Sequence, residues 1–232
     1  GSLTIASGGT YSATSGTTTI TSHSSNWVLN NSGTFTHNNG LVHSTQTAVN
    51  SAKIEMDGDS LYDLQLTTNP RSTKIESNTT IARNLTITSG YFSTGSNRDL
   101  TVTGDVSVTG TLTGGSSAIS FGSLTIASGG TYVATSGTTT ITSNDGSEFN
   151  ILNGGTFTHN NGTVTMTSNV TNKNRFEMDA DHFYNLIINS TGGSSNVVES
   201  RGGGADQTLY VDNNLTITAG TLDMTYGADD PL

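Results

Sequence analysis

The sequence predicts an all-β protein built as a parallel β-solenoid, a coil of short strands stacked one above another. Three observations lead to this prediction. Long stretches of the chain occur twice, which is the mark of a repeat architecture. Runs of four to six residues that alternate apolar residues with Thr or Ser recur every seven or eight residues and are typical of strands. Gly, Asn and Ser separate these runs and favour tight turns, because Gly adopts positive φ and Asn bonds its own backbone.

The repeat is a module of about 121 residues. The string at Gly1–Ser22 returns at Gly122–Ser143 with a single difference, Ser12 against Val133. GTFTHNNG from position 33 and IEMDGDSLYDLQL from position 54 return, the second with changes, at an offset of 122, and NLTITSG from position 84 returns as NLTITAG at an offset of 130. These offsets predict two solenoid modules, residues 1–121 and 122–232, the second with a longer loop near residues 190–210 and a truncated end.

The strand spacing predicts the size of the coil. Three strands per turn would use about 20 to 24 residues, which gives roughly ten rungs. At about 4.8 Å per rung the rod would be about 50 Å long. Leu, Ile, Val and Phe are expected to form inward ladders, and Thr and Ser outward ones. The alternative fold is a tandem pair of β-sandwich domains, which requires longer strands and hairpin turns.

Composition limits the core and the partners. Hydrophobic residues make up 31% of the chain and charged residues 11%, so the core must be thin and repeated rather than thick. The formal net charge is −10, and the eight Lys and Arg residues are mostly scattered singly, which argues against nucleic acid and anionic membranes as partners. No apolar run approaches the roughly 18 to 20 residues of a membrane span, so membrane insertion is not expected.

Acidic residues at alternate positions are the candidate metal ligands. On one strand, a spacing of two residues puts three carboxylates on the same face, where hard oxygen ligands suit Ca²⁺. The alternative is a solvated acidic strand edge or turn that discourages wrong strand pairing. The candidates in the two copies are Glu55, Asp57, Asp59, Glu177, Asp179 and Asp181. A glycoside-cleaving pair is disfavoured, because neighbours on one strand cannot straddle a sugar bond.

The two GTFTHNNG strings predict turns rather than a metal site. His37 and His159 are equivalent in the two copies, and each is followed by two Asn residues. Asn tolerates the left-handed backbone conformation, so each string is expected to form a corner with the His beside it. Repeated Thr-x-Thr strings raise ice binding as an alternative function, although their spacing is irregular.

The strings GSLTIASGGTY, GTFTHNNGTVTMTS, HFYNLIINSTGG and NLTITAGTLDM resemble the repeats of large bacterial and phage-encoded surface proteins: adhesins, autotransporter-like passenger domains and tail fibres with parallel β-helical rods. The resemblance covers most of the chain. It implies an extracellular, cell-surface or virion-surface structural protein whose usual purpose is attachment. It carries no catalytic residue over, and the chain is not expected to be an enzyme or to hold a cofactor other than Ca²⁺.

The ends of the repeat favour a role in fibres. The first copy begins abruptly at the start of the module. The second stops 13 residues into the stretch that begins at Gly220, whereas the first has 32 residues from Gly90 to Phe121. An uncapped solenoid offers unpaired backbone groups to another chain. The expected function is therefore a fibre segment that associates with itself, head to tail or laterally, or that belongs to a longer rod. The alternatives are a module that binds a surface glycan, with the loop 202–206 as the first region to test, and a polysaccharide-cleaving β-helix enzyme.

Overall fold

The computed structural model describes residues 1–21, 26–46, 51–95, 97–142, 149–167, 174–191, 197–200 and 208–224. All regular structure in these ranges is β-strand. Each strand pairs in parallel with a strand one turn away. The predicted parallel β-solenoid is confirmed. The alternative of two β-sandwich domains is wrong, because the module forms one coil of parallel strands rather than packed antiparallel sheets.

The described residues form twenty-four strands of the coil. In chain order they are β1 (Leu3–Ile5), β2 (Thr10–Ser12), β3 (Thr17–Ile20), β4 (Trp27–Asn31), β5 (Thr34–Thr36), β6 (Leu41–Ser44), β7 (Ala52–Glu55), β8 (Ser60–Leu61), β9 (Asp63–Ile75), β10 (Thr79–Ile81), β11 (Leu85–Ser93), β12 (Leu100–Val108), β13 (Thr111–Thr113), β14 (Ile119–Ile126), β15 (Thr131–Val133), β16 (Thr138–Ile141), β17 (Ile151–Asn153), β18 (Thr156–Thr158), β19 (Thr163–Met166), β20 (Asn174–Glu177), β21 (Phe183–Asn189), β22 (Val197–Ser200), β23 (Val211–Ala219) and β24 (Thr221–Asp223).

The strands form three faces that follow one another along the chain. Face A begins with β1, β4 and β7, face B with β2, β5 and β8, and face C with β3, β6 and the start of β9. The long strands β9, β11, β12 and β14 bend at a corner, and each contributes to two faces. Face C stacks ten strands, from β3 through β6, β9, β11, β12, β14, β17, β20 and β22 to β24. This agrees with the prediction of roughly ten rungs.

The second module is rotated by one face relative to the first. Strand β1 lies on face A, but its copy, Leu124–Ile126 at the end of β14, lies on face C. In the same way β3 lies on face C and its copy β16 on face B. The first module makes five complete turns plus two further strands before the copy begins. Since that number of strands is not a multiple of three, equivalent residues of the two modules point in directions about one third of a turn apart.

The core is a thin column of inward side chains. On face C, Val106, Leu124 and Ile151 stack in register and are buried. An aromatic ladder runs beside them, with ring centroids 5.9 Å apart for Phe121 and Tyr132 and 5.7 Å apart for Tyr132 and Phe157. Burial raises the pKa of Tyr132, whose hydroxyl lies 2.9 Å from the Thr139 hydroxyl. The predicted inward apolar ladders are confirmed.

Candidate functional site

The first acidic cluster lies at a corner of the coil. Glu55 ends β7, and Asp57 and Asp59 belong to the turn that follows it, with Asp57 at φ 50°. The Asp59 N–H donates to the Met56 carbonyl at 3.0 Å, and the Asp57 N–H donates to Glu55 Oε1 at 3.1 Å. The three carboxylates therefore lie around a tight turn, and only Glu55 is in a strand.

Asp59 ties this corner to the rung below it. Its Oδ2 atom accepts hydrogen bonds from Asn31 Nδ2 at 2.9 Å and from the Phe35 N–H at 2.6 Å. The Asn31 amide also donates to the Met56 carbonyl at 2.9 Å, and its Oδ1 atom accepts the Gly33 N–H at 3.1 Å. This network connects consecutive rungs through one buried amide and one carboxylate.

The second copy repeats the corner almost unchanged. Asp181 Oδ2 accepts from Asn153 Nδ2 at 2.9 Å and from the Phe157 N–H at 2.6 Å. Glu177 ends β20, and Asp179 occupies the turn at φ 53°. In the part of the chain that the structure describes, no three His, Cys, Asp or Glu side chains are grouped to hold a metal ion. The geometry assigns Asp59 and Asp181 a structural role, and calcium binding stays a prediction.

Removing the Asp181 carboxylate is expected to destabilise the corner. Asp181→Ala leaves the Phe157 N–H and Asn153 Nδ2 without their acceptor, so we expect the free energy of unfolding to fall by about 1 to 3 kcal/mol. Asp179→Asn is the matched control, because Asn tolerates positive φ. This substitution should change the free energy of unfolding by less than about 0.5 kcal/mol. Thermal unfolding with and without Ca²⁺ measures both effects. A calcium-dependent rise in Tm that Asp179→Asn abolishes would contradict a purely structural corner.

The Asn corners follow the sequence prediction. Asn38 and Asn39 have φ of 47° and 59°, and Asn160 and Asn161 have 47° and 57°. The Asn38 side chain donates to the Ala13 carbonyl on the neighbouring rung at 2.7 Å, which fixes the corner to the coil. The predicted turns beside His37 and His159 are therefore confirmed.

Two of the histidines extend an aromatic surface in the second module. His159 stacks on Tyr184 and His182 on Tyr210, with ring centroids 5.4 Å and 4.5 Å apart. Asp212 lies between them, with Oδ2 3.2 Å from His159 Nε2 and Oδ1 2.7 Å from His182 Nδ1. In the first module His37 stacks on Tyr62, but Ser60 and Ala82 stand where His182 and Asp212 occur in the second. This exposed surface connects three consecutive rungs.

Four charged residues converge in the first module, although they are far apart in the sequence. Glu76 Oε1 lies 2.9 Å from Lys53 Nζ and 3.0 Å from Lys74 Nζ, and Glu76 Oε2 lies 3.1 Å from Arg98 Nη2. Lys53 also lies over the Trp27 ring, 5.2 Å from its centroid. We call these five residues the basic patch. The spacings of 21 residues from Lys53 to Lys74 and 22 from Glu76 to Arg98 equal one turn of the coil and are the signal that sequence reasoning missed.

The ion pairs of the basic patch make the free energy of unfolding depend on pH. Hydrogen bonds from Lys53 and then Lys74 lower the pKa of Glu76. A carboxylate with a depressed folded pKa contributes stability that is fully present above its unfolded pKa, about 4.3, and that is lost as the pH falls through the folded pKa. We therefore expect the wild type to lose about 1 kcal/mol more than Glu76→Gln on acidification from about pH 5 to about pH 3. Denaturant unfolding at a series of pH values measures this, and parallel pH curves would contradict it.

The structure leaves the predicted glycan-binding loop untested, because residues 202–206 lie outside the described residues. The longer loop near 190–210 lies largely outside them as well, with β22 in its middle. Among the described residues there is no helix of the length and apolarity that crossing a bilayer requires.

The fold defines the chain as a parallel β-solenoid protein. Comparison with known proteins adds no closer relationship: no protein family, curated protein or solved structure matches the chain.

Proposed function

We propose that this chain is a structural segment of an extracellular or virion-surface fibre. The observation that supports the proposal is the parallel ladder of face C, which stacks strands of both modules on one axis. The module boundary at residues 121 and 122 lies inside the single strand β14. One module therefore continues into the next without a hinge, which is what a stiff rod requires.

Length is the property that this architecture supplies. Each rung of a solenoid contacts only its neighbours, so repeats can be added without enlarging the core. Each added rung extends the rod by about 4.8 Å. Because the second module is rotated by one face, features at equivalent corners point in different directions around the rod. A fibre of such modules presents each surface feature on several sides.

The surface location of the fibre comes from the resemblance of its repeats to bacterial and phage surface proteins. Self-association, head to tail or as part of a longer rod, is the partner interaction that this role requires. The strongly acidic balance, with a net charge of −10, favours solubility of a long exposed particle.

Negative-stain electron microscopy and sedimentation of the purified chain test the proposal. We expect narrow particles about 50 Å long that join end to end as the concentration rises. A chain with two further copies of the module should give a particle of the same width and about twice the length. Compact particles whose width grows with added modules would contradict the proposal.

A surface-glycan-binding module is the second candidate, and the basic patch favours it. Arg, Lys and an aromatic ring are groups that bind carboxylated sugars, through charge-assisted hydrogen bonds and stacking. Binding to uronate-containing and neutral polysaccharides of the same size, compared at low and moderate salt, tests this. We expect Lys74→Ala to weaken binding to the charged polymer only, and equal binding of both polymers would contradict this function.

A further inference from the structure

The last described rung presents apolar side chains that its counterpart in the first module buries. Leu215 and Ile217 of β23 are 46% and 50% exposed, whereas the equivalent Leu85 and Ile87 are fully buried at 0%. The repeat NLTIT occurs in both places, with an offset of 130 residues. The same short sequence therefore exists in this molecule in a covered and an open form.

The difference lies above the rung and not below it. Leu85 and Ile87 rest on Leu64 and Leu66, and Leu215 and Ile217 rest on the equivalent Leu186 and Ile188. Above Leu85 and Ile87 lie Val106 and Val108 of β12, in register. Among the described residues, β23 pairs with β21 alone. The first module therefore shows which kind of segment covers a rung with this sequence.

Among the described residues, the first rung has no such neighbour on its other side. Its sequence twin in the second module begins at Gly122, and there Leu124 pairs with Val106 and Tyr132 with Leu112. Leu124 and Tyr132 are buried, whereas the equivalent Leu3 and Tyr11 are only partly buried. Leu3 and Tyr11 line a surface depression of about 260 Å³.

One segment, residues 98–121, therefore fills both positions inside the molecule. This segment lies above the rung that contains the NLTIT strand and below the rung that begins with GSLTIASGG. Direct stacking of the first rung of one molecule on the last rung of another would omit this segment. Such direct stacking would place Leu3 at the position that Val106 occupies above the first NLTIT strand.

We propose that the open rung formed by β23 and β24 binds a polypeptide segment of the 98–121 type, which adds the next turn of the coil. This inference rests on the proposed function and specifies the segment that covers this rung. The partner is defined by its chemistry: three short strands with the apolar pattern of Leu100 to Leu112, separated by glycine corners.

The glycine corner gives the interaction its selectivity. A Cβ atom on Gly110 would lie 2.6 Å from the Gly90 carbonyl oxygen, so that corner accepts no side chain. Gly220 stands where Gly90 stands in the first module. A second recognition point is Asn84, whose Oδ1 atom accepts the Asp105 N–H at 3.0 Å. Asn214 offers the same acceptor type on the open rung.

Binding of a fluorescent peptide with the sequence of residues 98–121 to the full chain tests the inference. We expect saturable one-to-one binding, weakened at least about tenfold by Val106→Asp or Gly110→Val in the peptide, since either change blocks the packing. In the protein, Ile217→Asp should weaken binding by a similar factor. Thr216→Asp is the matched control, because its side chain is on the outer side of the same strand, and it should leave binding unchanged.

Joining the same peptide to the end of the full chain through a Gly/Ser linker removes the dependence on affinity, because the effective concentration then reaches about the millimolar range. The joined segment should raise the Tm by several degrees relative to the same fusion with Val106→Asp. Equal Tm values for the two fusions would overturn the inference. End-to-end filaments that the free peptide does not shorten would also overturn it while leaving the fibre role intact, whereas peptide binding to compact particles that never lengthen would contradict the fibre role alone.

Discussion

Phe157→Ala is expected to lower the free energy of unfolding by about 3 to 5 kcal/mol. Phe157 is buried on β18, with its ring 5.7 Å from Tyr132 on one side and 5.7 Å from Phe183 on the other. Truncation leaves a cavity between two rungs of a core that is only one layer of side chains wide. Because neighbouring rungs are fixed by their backbone ladders, they cannot collapse to fill it.

Phe35→Ala is the matched control, since Phe35 is the equivalent residue of the first module. It is equally buried, and its ring stacks on Tyr11 of the first rung, with the ring centroids 5.7 Å apart. Its loss should be smaller by about 0.5 to 1.5 kcal/mol, the contribution of one aromatic pair. Urea unfolding followed by circular dichroism measures both variants. Equal losses would mean that the aromatic ladder adds nothing beyond burial.

Gly162→Ala is expected to cost about 3 kcal/mol, because the corner of the second module has no room for a methyl group. A Cβ atom at Gly162 would lie 1.9 Å from the Thr135 carbonyl oxygen on the neighbouring rung. Thr135 is buried, and its hydroxyl donates to the Ser117 carbonyl at 2.6 Å. The backbone at Thr135 therefore cannot shift without breaking this second contact. The corner must open, and the two rungs separate locally.

Gly154→Ala tests the same kind of change where space exists. The nearest atom to its added Cβ would be the Ile126 carbonyl oxygen, at 3.6 Å, an ordinary contact. Its effect on the Tm should stay within the equivalent of about 0.5 kcal/mol. Amide exchange should show faster opening around residues 132–135 in Gly162→Ala and not in Gly154→Ala. Unchanged exchange in both would contradict the steric argument.

Local sequence predicted the strands and corners because those features depend on neighbouring residues. Alternation of Leu and Ile with Thr in LTIT at residues 85–88 specifies one inward and one outward row, and the pair Asn38 and Asn39 specifies a turn through positive φ. The duplication from Gly122 predicted the solenoid, since a module that is repeated in line is most simply stacked on its copy. These three signals needed no information about distant contacts.

The sites were less predictable, because they form across turns. Period-two spacing indicated that Asp57 and Asp59 would share a strand face with Glu55, but the strand ends at Glu55 and the turn that follows directs Asp59 to the rung below. The basic patch was missed for a related reason. Its cations are single charges in the sequence and meet only where one turn of the coil returns to the same place.

The amino-acid pattern was enough to predict a repeated all-β coil with a thin apolar column, glycine and asparagine corners, and two copies of one module. How the two copies are oriented relative to each other depends on the stacked rungs. The first module holds five turns and two strands, and this count depends on where β9, β11, β12 and β14 bend around a corner without a break. That bending is set by packing against adjacent rungs, so the rotation of the second module by one face, and the identity of the segment that covers each open rung, emerge only when the rungs are stacked.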